Sequence, residues 1–363
     1  MVDRARKEVI AVSSAKNRER MSELEEQVRA FHEDSFIFDA LATSYPDAEA
    51  VEALKAIGLD AVHYTVASIS YIEGRIVQDS FIAACRKIGR WYSIFDRLHE
   101  EVELATSVES MERINKDGKL AIFMGFQNGS PMEDNKDYAR IFKQLGVRII
   151  QLTYNSRNMI GDGSGETADA GLSKFGFEMV EEMNRLGLLI DLSHCHHKTT
   201  MDAIGASESP VVFTHANARA LADTPRNKSD EEVTALARRG GVIGIKHMLG
   251  DTEAKKAEAT TVADVVDHID HVVDLVGVDH VCIGTDFAVG SKVDVQQSDE
   301  LIDAMRQHFP QAYRGKRVKP QGLSRIGELF NLTRELMRRG YRDEELKKIY
   351  GLNFRRVLEH VIG

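Results

Sequence analysis

Cysteine is scarce in this chain of 363 residues: there are three, Cys85, Cys195 and Cys282, far apart and in no CxxC pair. That usage signals neither a disulfide framework nor a thiolate zinc site, and it fits a reducing, cytoplasmic setting. Long apolar runs are also missing. No stretch of about 18 residues is free of charge, so no membrane span is expected. The first residues, MVDRARKEVIAVSSAKNRERMSELEEQ, hold no apolar core of a signal peptide. Positive charge is not in excess either, with 57 acidic against 47 basic side chains and a net charge of −10. A protein that grips a nucleic-acid backbone or an anionic membrane needs clustered Lys and Arg, so both partners are excluded. Small-molecule chemistry is what these absences leave.

A further absence concerns the fold. Short apolar, β-branched runs recur along the chain at Phe36–Leu41, Ala61–Ala67, Leu120–Gln127, Val147–Tyr154, Leu188–His194, Val211–His215, Val242–His247 and Val281–Phe287. No GxGxxG nucleotide turn follows the first of them, as a doubly wound open sheet would require. Amphipathic stretches lie between the runs, for example Asp137–Leu145, Phe175–Leu186, Lys198–Ala203, Asp230–Arg239 and Val262–Val276. Several end at a glycine: Gly146, Gly187, Gly240 and Gly277. Alternating β and α segments imply a parallel sheet, and eight of them imply a closed (β/α)8 TIM barrel. Helical spacing of Met21, Leu24, Val28 and Phe31 predicts a leading helix within 1–34. The long connection between the second and third strands holds helical segments near Ile82–Tyr92 and Val108–Asn115, and two more helices are expected in 324–363. With no linker or low-complexity tract, residues 1–363 read as a single domain.

In such a barrel the C-terminal strand ends build the active site. Strand three ends in Gln127 and Asn128, strand four in Thr153, Tyr154 and Asn155, strand five in Asp191 and His194. Strand six ends in His215, strand seven in Lys246 and His247, strand eight in Asp286. His194 and His215 come from adjacent strands and suit one shared metal ion, imidazole being a common neutral ligand. Asp286 closes an otherwise apolar strand, where a carboxylate is costly unless it serves a site, and is the candidate general base.

Neighbouring residues carry weaker signals. Lys246 and His247 point to opposite faces of a strand, so at most one faces the mouth. His196 and His197 follow strand five into a helix and read as surface residues. Ser229 and Glu232 form a capping-box pattern. Arg226, just before them, is placed to clamp a substrate carboxylate. The segment Gly161–Gly165, GDGSG, reads as a flexible loop and possible lid.

Five segments, GLSKFGFEMVEEMNRLGLLIDLSH at 171–194, PVVFTH at 210–215, RNKSDEE at 226–232, IGTDF at 283–287 and YGLNFRRVL at 350–358, occur in one order and spacing. On these the chain resembles the renal (membrane) dipeptidase family of the amidohydrolase superfamily, from Phe36 to Val361. The resemblance implies a metal-dependent-hydrolase barrel with a zinc pair that activates water for dipeptide hydrolysis, in a homodimer. It implies that His194 and His215 are ligands of one zinc, Asp286 the strand-eight aspartate and Arg226 the carboxylate-binding arginine.

The chain departs from that pattern at one centre. Where the family carries an HxD pair at the end of strand one, this sequence has Leu41 and Thr43. Gln127 stands in place of a bridging glutamate, and Tyr154 in place of a strand-four histidine. Leucine cannot ligate, and a neutral amide does not bridge two cations as a carboxylate does. The expectation is one Zn2+ per chain or none, on His194 and His215 with Gln127 or Asp286. Gln127, Tyr154, Asn155 and Arg226 are expected to bind a small dipeptide-like or amide substrate. The alternatives are a metal-independent lyase or isomerase using His194 or His215 with Asp286, and an inactive homologue.

Overall fold

The eight apolar runs form eight parallel strands: β1 (Phe38–Thr43), β2 (Ala61–Ala67), β3 (Leu120–Phe126), β4 (Val147–Gln151), β5 (Leu189–Asp191), β6 (Val212–Ala216), β7 (Val242–Ile245) and β8 (Val281–Ile283, resumed at Phe287–Ala288). These come from a computed structural model that describes residues 21–252, 259–290, 299–310, 312 and 316–363. Each strand pairs with its successor, and the second half of β8 pairs with β1 through Ala42 and Phe287, closing the barrel. The leading helix is described from residue 21; its expected part before that lies outside the described residues.

Helix boundaries follow local chemistry. Ser173 accepts from the Gly176 amide to start Lys174–Leu186, and Gly187 ends it at φ 62, a left-handed conformation that costs glycine little. Ser229 and Glu232 form the expected capping box ahead of Asp230–Arg238. The insertion after β2 carries the helices Phe81–Arg97 and Val108–Lys116. It also carries strands absent from the sequence reading: a hairpin, Ile69–Ile72 with Arg75–Gln78, and Val102–Leu104, which pairs with β3. These segments are only three or four residues long, too short for a period-2 pattern to stand out.

The lower barrel is filled by Phe38, Ala61, Ala121, Phe123, Ile149, Leu189, Val212, Val242 and Cys282. Phe354, from the last helix (Asn353–Ile362), plugs this end, its ring 4.8 Å from that of Phe38. Higher up, the strands close in. A Cβ on Gly284 or Gly244 would lie 1.8 or 2.1 Å from the Thr214 carbonyl oxygen, so only glycine fits there. The apolar plug below leaves the C-terminal ends of the strands to polar residues.

Candidate active site

Imidazoles from two neighbouring strands meet at the barrel mouth. His194 follows β5 and His215 lies in β6; their Nε2 atoms are 3.0 Å apart and both residues are buried. Their other nitrogens fix the tautomers. His194 Nδ1 is 2.8 Å from Asn155 Oδ1, an oxygen that also receives the Ser164 hydroxyl at 3.0 Å. An amide oxygen only accepts, so Nδ1 holds the proton and Nε2 of the neutral ring holds a lone pair. His215 Nδ1 is 2.8 Å from Thr214 Oγ1, and that hydroxyl donates its single proton to Asp191 Oδ2 at 2.7 Å. It therefore accepts from His215 Nδ1–H, and His215 Nε2 also presents a lone pair.

Two lone pairs facing each other at 3.0 Å repel unless a cation or a proton lies between them. Imidazoles oriented from behind by oxygen acceptors are the usual supports of a metal ion, so His194 and His215 fit one. Gln127 is the third group here: its side-chain nitrogen donates to His215 Nε2 at 3.1 Å. The oxygen of the same amide is a neutral donor of the kind a divalent cation accepts. Leu41 is fully buried, and the Thr43 hydroxyl turns to the Phe287 carbonyl at 3.4 Å. Among the described residues no group of three or more His, Cys, Asp or Glu side chains is arranged to hold a metal ion.

The support beneath the pair escaped the sequence reading. Asp191 is fully buried and accepts from the amides of Ser193 and Thr214 at 2.9 and 3.0 Å and from both hydroxyls at 2.5 and 2.7 Å. Burial raises its pKa above the ordinary carboxylate value despite these bonds. The alternation Asp191, Ser193 on one strand beside Thr214 on the next was the available signal. Asp39 does similar work under Asp286. It accepts from the Thr285 amide at 2.7 Å, the Thr285 hydroxyl at 2.5 Å and the Leu41 amide at 3.2 Å. Burial pushes its pKa up to about 6, with the charge of Asp286 adding to the shift.

The other predicted residues surround this centre. The Tyr154 ring stacks on that of His194, centroids 4.1 Å apart and planes at 20°. Tyr154 also packs against a small apolar cluster of Ile69, Met305, Phe309 and Ala312. Asp286 sits between β8 and β1, partly exposed, with φ 59 and its amide on the Leu41 carbonyl at 2.9 Å. Left-handed backbone at a non-glycine residue stores on the order of 1–3 kcal/mol and clusters at active sites. Among the described residues it makes no hydrogen bond to either imidazole. Arg226 is 5% exposed, and its two terminal nitrogens donate to the carbonyls of Ser193 and His215, each at 2.7 Å. The guanidinium thus braces the ends of β5 and β6.

Two loop readings change. The GDGSG segment is not a lid: Ser164 N donates to the His194 carbonyl at 2.8 Å and Gly165 N to the Asn155 carbonyl at 2.9 Å. Gly161 to Ser164 are buried, and a Cβ on Gly163 would stand 2.0 Å from the Tyr154 carbonyl oxygen. These glycines serve close packing. His196, read as a surface residue, is half-buried and pairs with Asp169 at 2.6 Å at the start of the next helix. Elsewhere, a cavity of about 860 Å³ lies between helix 21–34 and the helix Leu329–Arg338, at the N-terminal ends of the strands. Its Arg334 is paired with Glu25, and it lies at the opposite end from the histidines.

A parallel eight-stranded barrel with paired imidazoles at its C-terminal mouth defines the class of metal-dependent hydrolase barrels. The sequence pattern of the membrane dipeptidase family (Peptidase family M19) matches residues 44–309 and 308–362, and the chain belongs to that family. It is 33% identical over 270 residues to "Dipeptidase tcpJ" of Claviceps purpurea and 29% identical over 285 residues to "Dipeptidase verJ" of Clonostachys rogersoniana. These matches take in 74% and 78% of this chain but 57% and 66% of those proteins, so the chain spans less than two thirds of their length. An amidohydrolase from Pseudomonas aeruginosa is 34% identical with a TM-score of 0.80, over 93% of this chain and 99% of that one. The dipeptidase AC of family M19 shares the fold at a TM-score of 0.74 and 20% identity, over 91% of this chain and 99% of that one. Among the described residues no helix is long and apolar enough to cross a membrane.

Proposed function

We propose that the chain hydrolyses a dipeptide or small amide, working with a single zinc ion on His194, His215 and Gln127. The observation that carries this reading is the pair of Nε2 lone pairs at 3.0 Å, each held by an oxygen acceptor behind its ring. Zinc there supplies Lewis acidity, lowering the pKa of water toward about 7 and polarising a carbonyl.

The chain's own residues do the rest. Asp286, on strained backbone at the mouth, accepts a proton from the attacking water and returns it to the departing amine. Tyr154 and Asn155 hold the His194 ring in place, one by stacking and the other through Nδ1. Arg226, against the ends of β5 and β6, is the guanidinium assigned to the substrate's carboxylate. The absence of carboxylates at Leu41, Thr43 and Gln127 limits the centre to one cation.

The test is a dipeptide panel assayed with protein purified without chelator, with metal content measured alongside. One zinc per chain, turnover on the panel, and loss of turnover in Asp286→Asn and His194→Ala at unchanged melting temperature is the expected result. Activity that survives exhaustive chelation in metal-free protein defeats the metal reading and favours acid/base chemistry by the histidines and Asp286.

A further inference from the structure

We propose that Gln151 is a positioning residue of the centre: its side-chain amide aims the Gln127 side chain at the histidine pair and ties it to the segment that holds His194. The inference rests on the metal reading above and adds to it the residue that sets how the third group meets the first two.

Backbone pairing between β3 and β4 runs out just before Gln127. The register shifts between Met124 and Gly125, and the last pair is Phe126 with Ile150. Gln151, the final residue of β4 and fully buried, takes over with its side chain. Its Nε2 donates to the Gln127 carbonyl at 2.5 Å and to the Thr153 carbonyl at 2.7 Å. An amide nitrogen carries two protons, and these bonds use both. The amide fits no other way round, because its oxygen would then face two carbonyl oxygens.

The first bond fixes Gln127. The backbone amide of Gln127 donates to the Ala67 carbonyl at the end of β2 at 2.9 Å, so β2 holds one side of the residue and Gln151 the other. With the peptide planes on both sides held, the direction in which the side chain leaves the backbone is set, and that side chain donates to His215 Nε2 at 3.1 Å. The second bond fixes Thr153, the residue before Tyr154 and Asn155. Tyr154 stacks on the His194 ring and Asn155 accepts from its Nδ1. One side-chain amide thus joins the residue that meets His215 to the residues that hold His194. Loss of a partner that orients a metal ligand typically weakens metal binding about 10- to 100-fold, although Gln151 touches neither imidazole through its printed bonds.

The test uses Gln151→Met, Gln127→Ala and the double variant, in metal-free protein whose histidine ring nitrogens are isotope-labelled for NMR. Methionine keeps the length and removes both donors, and thermal melts verify the fold. Gln151→Glu, of the same shape, is read in its place if the methionine variant does not fold, since a carboxylate donates neither bond and a carboxylic acid only one. The His215 Nε2 signal is expected to move in Gln151→Met toward its position in Gln127→Ala, and the double variant to move it no further than Gln127→Ala alone. An unmoved signal in Gln151→Met, or shifts that add in the double variant, overturns the assignment, because a residue that acts through another adds nothing once that other is gone. Cobalt(II) titration followed by absorption then reads the metal. Affinity should fall about tenfold or more in Gln151→Met and in Gln127→Ala, and no further in the double variant; losses that multiply overturn the role. If the wild type binds no cobalt at the histidine pair, the metal reading fails on its own, and the ring signals still decide whether Gln151 aims Gln127.

Discussion

His194 and His215 present Nε2 to Nε2 at 3.0 Å, and each ring is fixed by a contact to its other nitrogen rather than by the meeting itself. Asn155 fixes one and the Thr214 hydroxyl, set by buried Asp191, fixes the other. The pair is thus built from behind. Its orientation comes from strands β4, β5 and β6 together, and its metal affinity should be governed by residues that never touch the metal.

Thr214→Val tests that dependence directly. Valine matches threonine in shape but removes both the acceptor for His215 Nδ1–H and the donor to Asp191. Zinc affinity is expected to fall about 10- to 100-fold, the usual cost of losing such a partner, with a stability loss of about 1–3 kcal/mol for the unpaired buried groups. Thr214→Ser should restore most of the affinity. Competition with a chromophoric chelator measures the first quantity and denaturant unfolding the second; an unaltered zinc affinity in Thr214→Val counts against the relay.

Gly163→Ala probes the loop beneath His194. The added methyl would meet the backbone of Tyr154 and Asn155, with the Tyr154 carbonyl oxygen at 2.0 Å and the Asn155 carbonyl oxygen at 2.7 Å. Neither is a flexible side-chain end that gives way cheaply, so the end of β4 must shift. A destabilisation of about 1–3 kcal/mol is expected, together with weaker zinc binding, because Asn155 moves with it. A flexible lid at this position predicts neither effect, which makes the melting curve and the zinc titration decisive between the two.

Strands, helix stops and the polar strand ends were legible because each depends on local pattern. Eight β-branched runs became eight staves, and Gly146, Gly187, Gly240 and Gly277 all take positive φ. What escaped depends on contacts between distant segments. Asp39 and Thr285 are 246 positions apart yet share a hydrogen bond. The two carbonyls that Arg226 braces, of Ser193 and His215, lie on different strands and leave no mark in its own segment. The glycines of GDGSG look like freedom in one dimension and are close packing in three. The hairpin after β2 is four residues a side, below the length at which alternation is informative.

Burial of His63 carries a pH signature. Its Nδ1 donates to the Ala40 carbonyl at 2.8 Å, and loss of hydration lowers its pKa to about 4. In the unfolded chain the ring takes up a proton near its ordinary value of about 6.5. Between these two values the unfolded state binds the extra proton, so this contribution to stability is lost as pH falls from about 6.5 to 4. His63→Gln keeps an N–H donor and removes the titration. Relative to the wild type, the variant should gain about 2 kcal/mol on going from pH 7 to pH 4.5. Asp39→Asn should behave in the opposite sense. The folded carboxyl keeps its proton up to about 6, so its penalty grows as pH rises through that range and disappears in the variant. Parallel unfolding curves at the two pH values for wild type and both variants decide the matter.

Introducing carboxylate and imidazole ligands gives the most direct test of the proposed single-metal centre. The resemblance read from the sequence sets Leu41, Thr43 and Gln127 where the family carries histidine, aspartate and glutamate, and all three are buried. The triple variant Leu41→His, Thr43→Asp, Gln127→Glu introduces two carboxylates and an imidazole where the wild type has none of those groups. Without metal, these groups are enclosed close together at a cost of several kcal/mol, so the variant should melt well below the wild type in chelator. With zinc, the carboxylate at position 127 gains the ability to bridge, and metal content is expected to rise from one to two ions per chain. The melting temperature should then recover by more than the wild type gains from zinc, since ligand binding to the folded state alone shifts stability by mass action. Elemental analysis of the wild type is the control that matters most. Two tightly held ions per wild-type chain would mean that other groups complete the second position and that Leu41, Thr43 and Gln127 do not limit the centre.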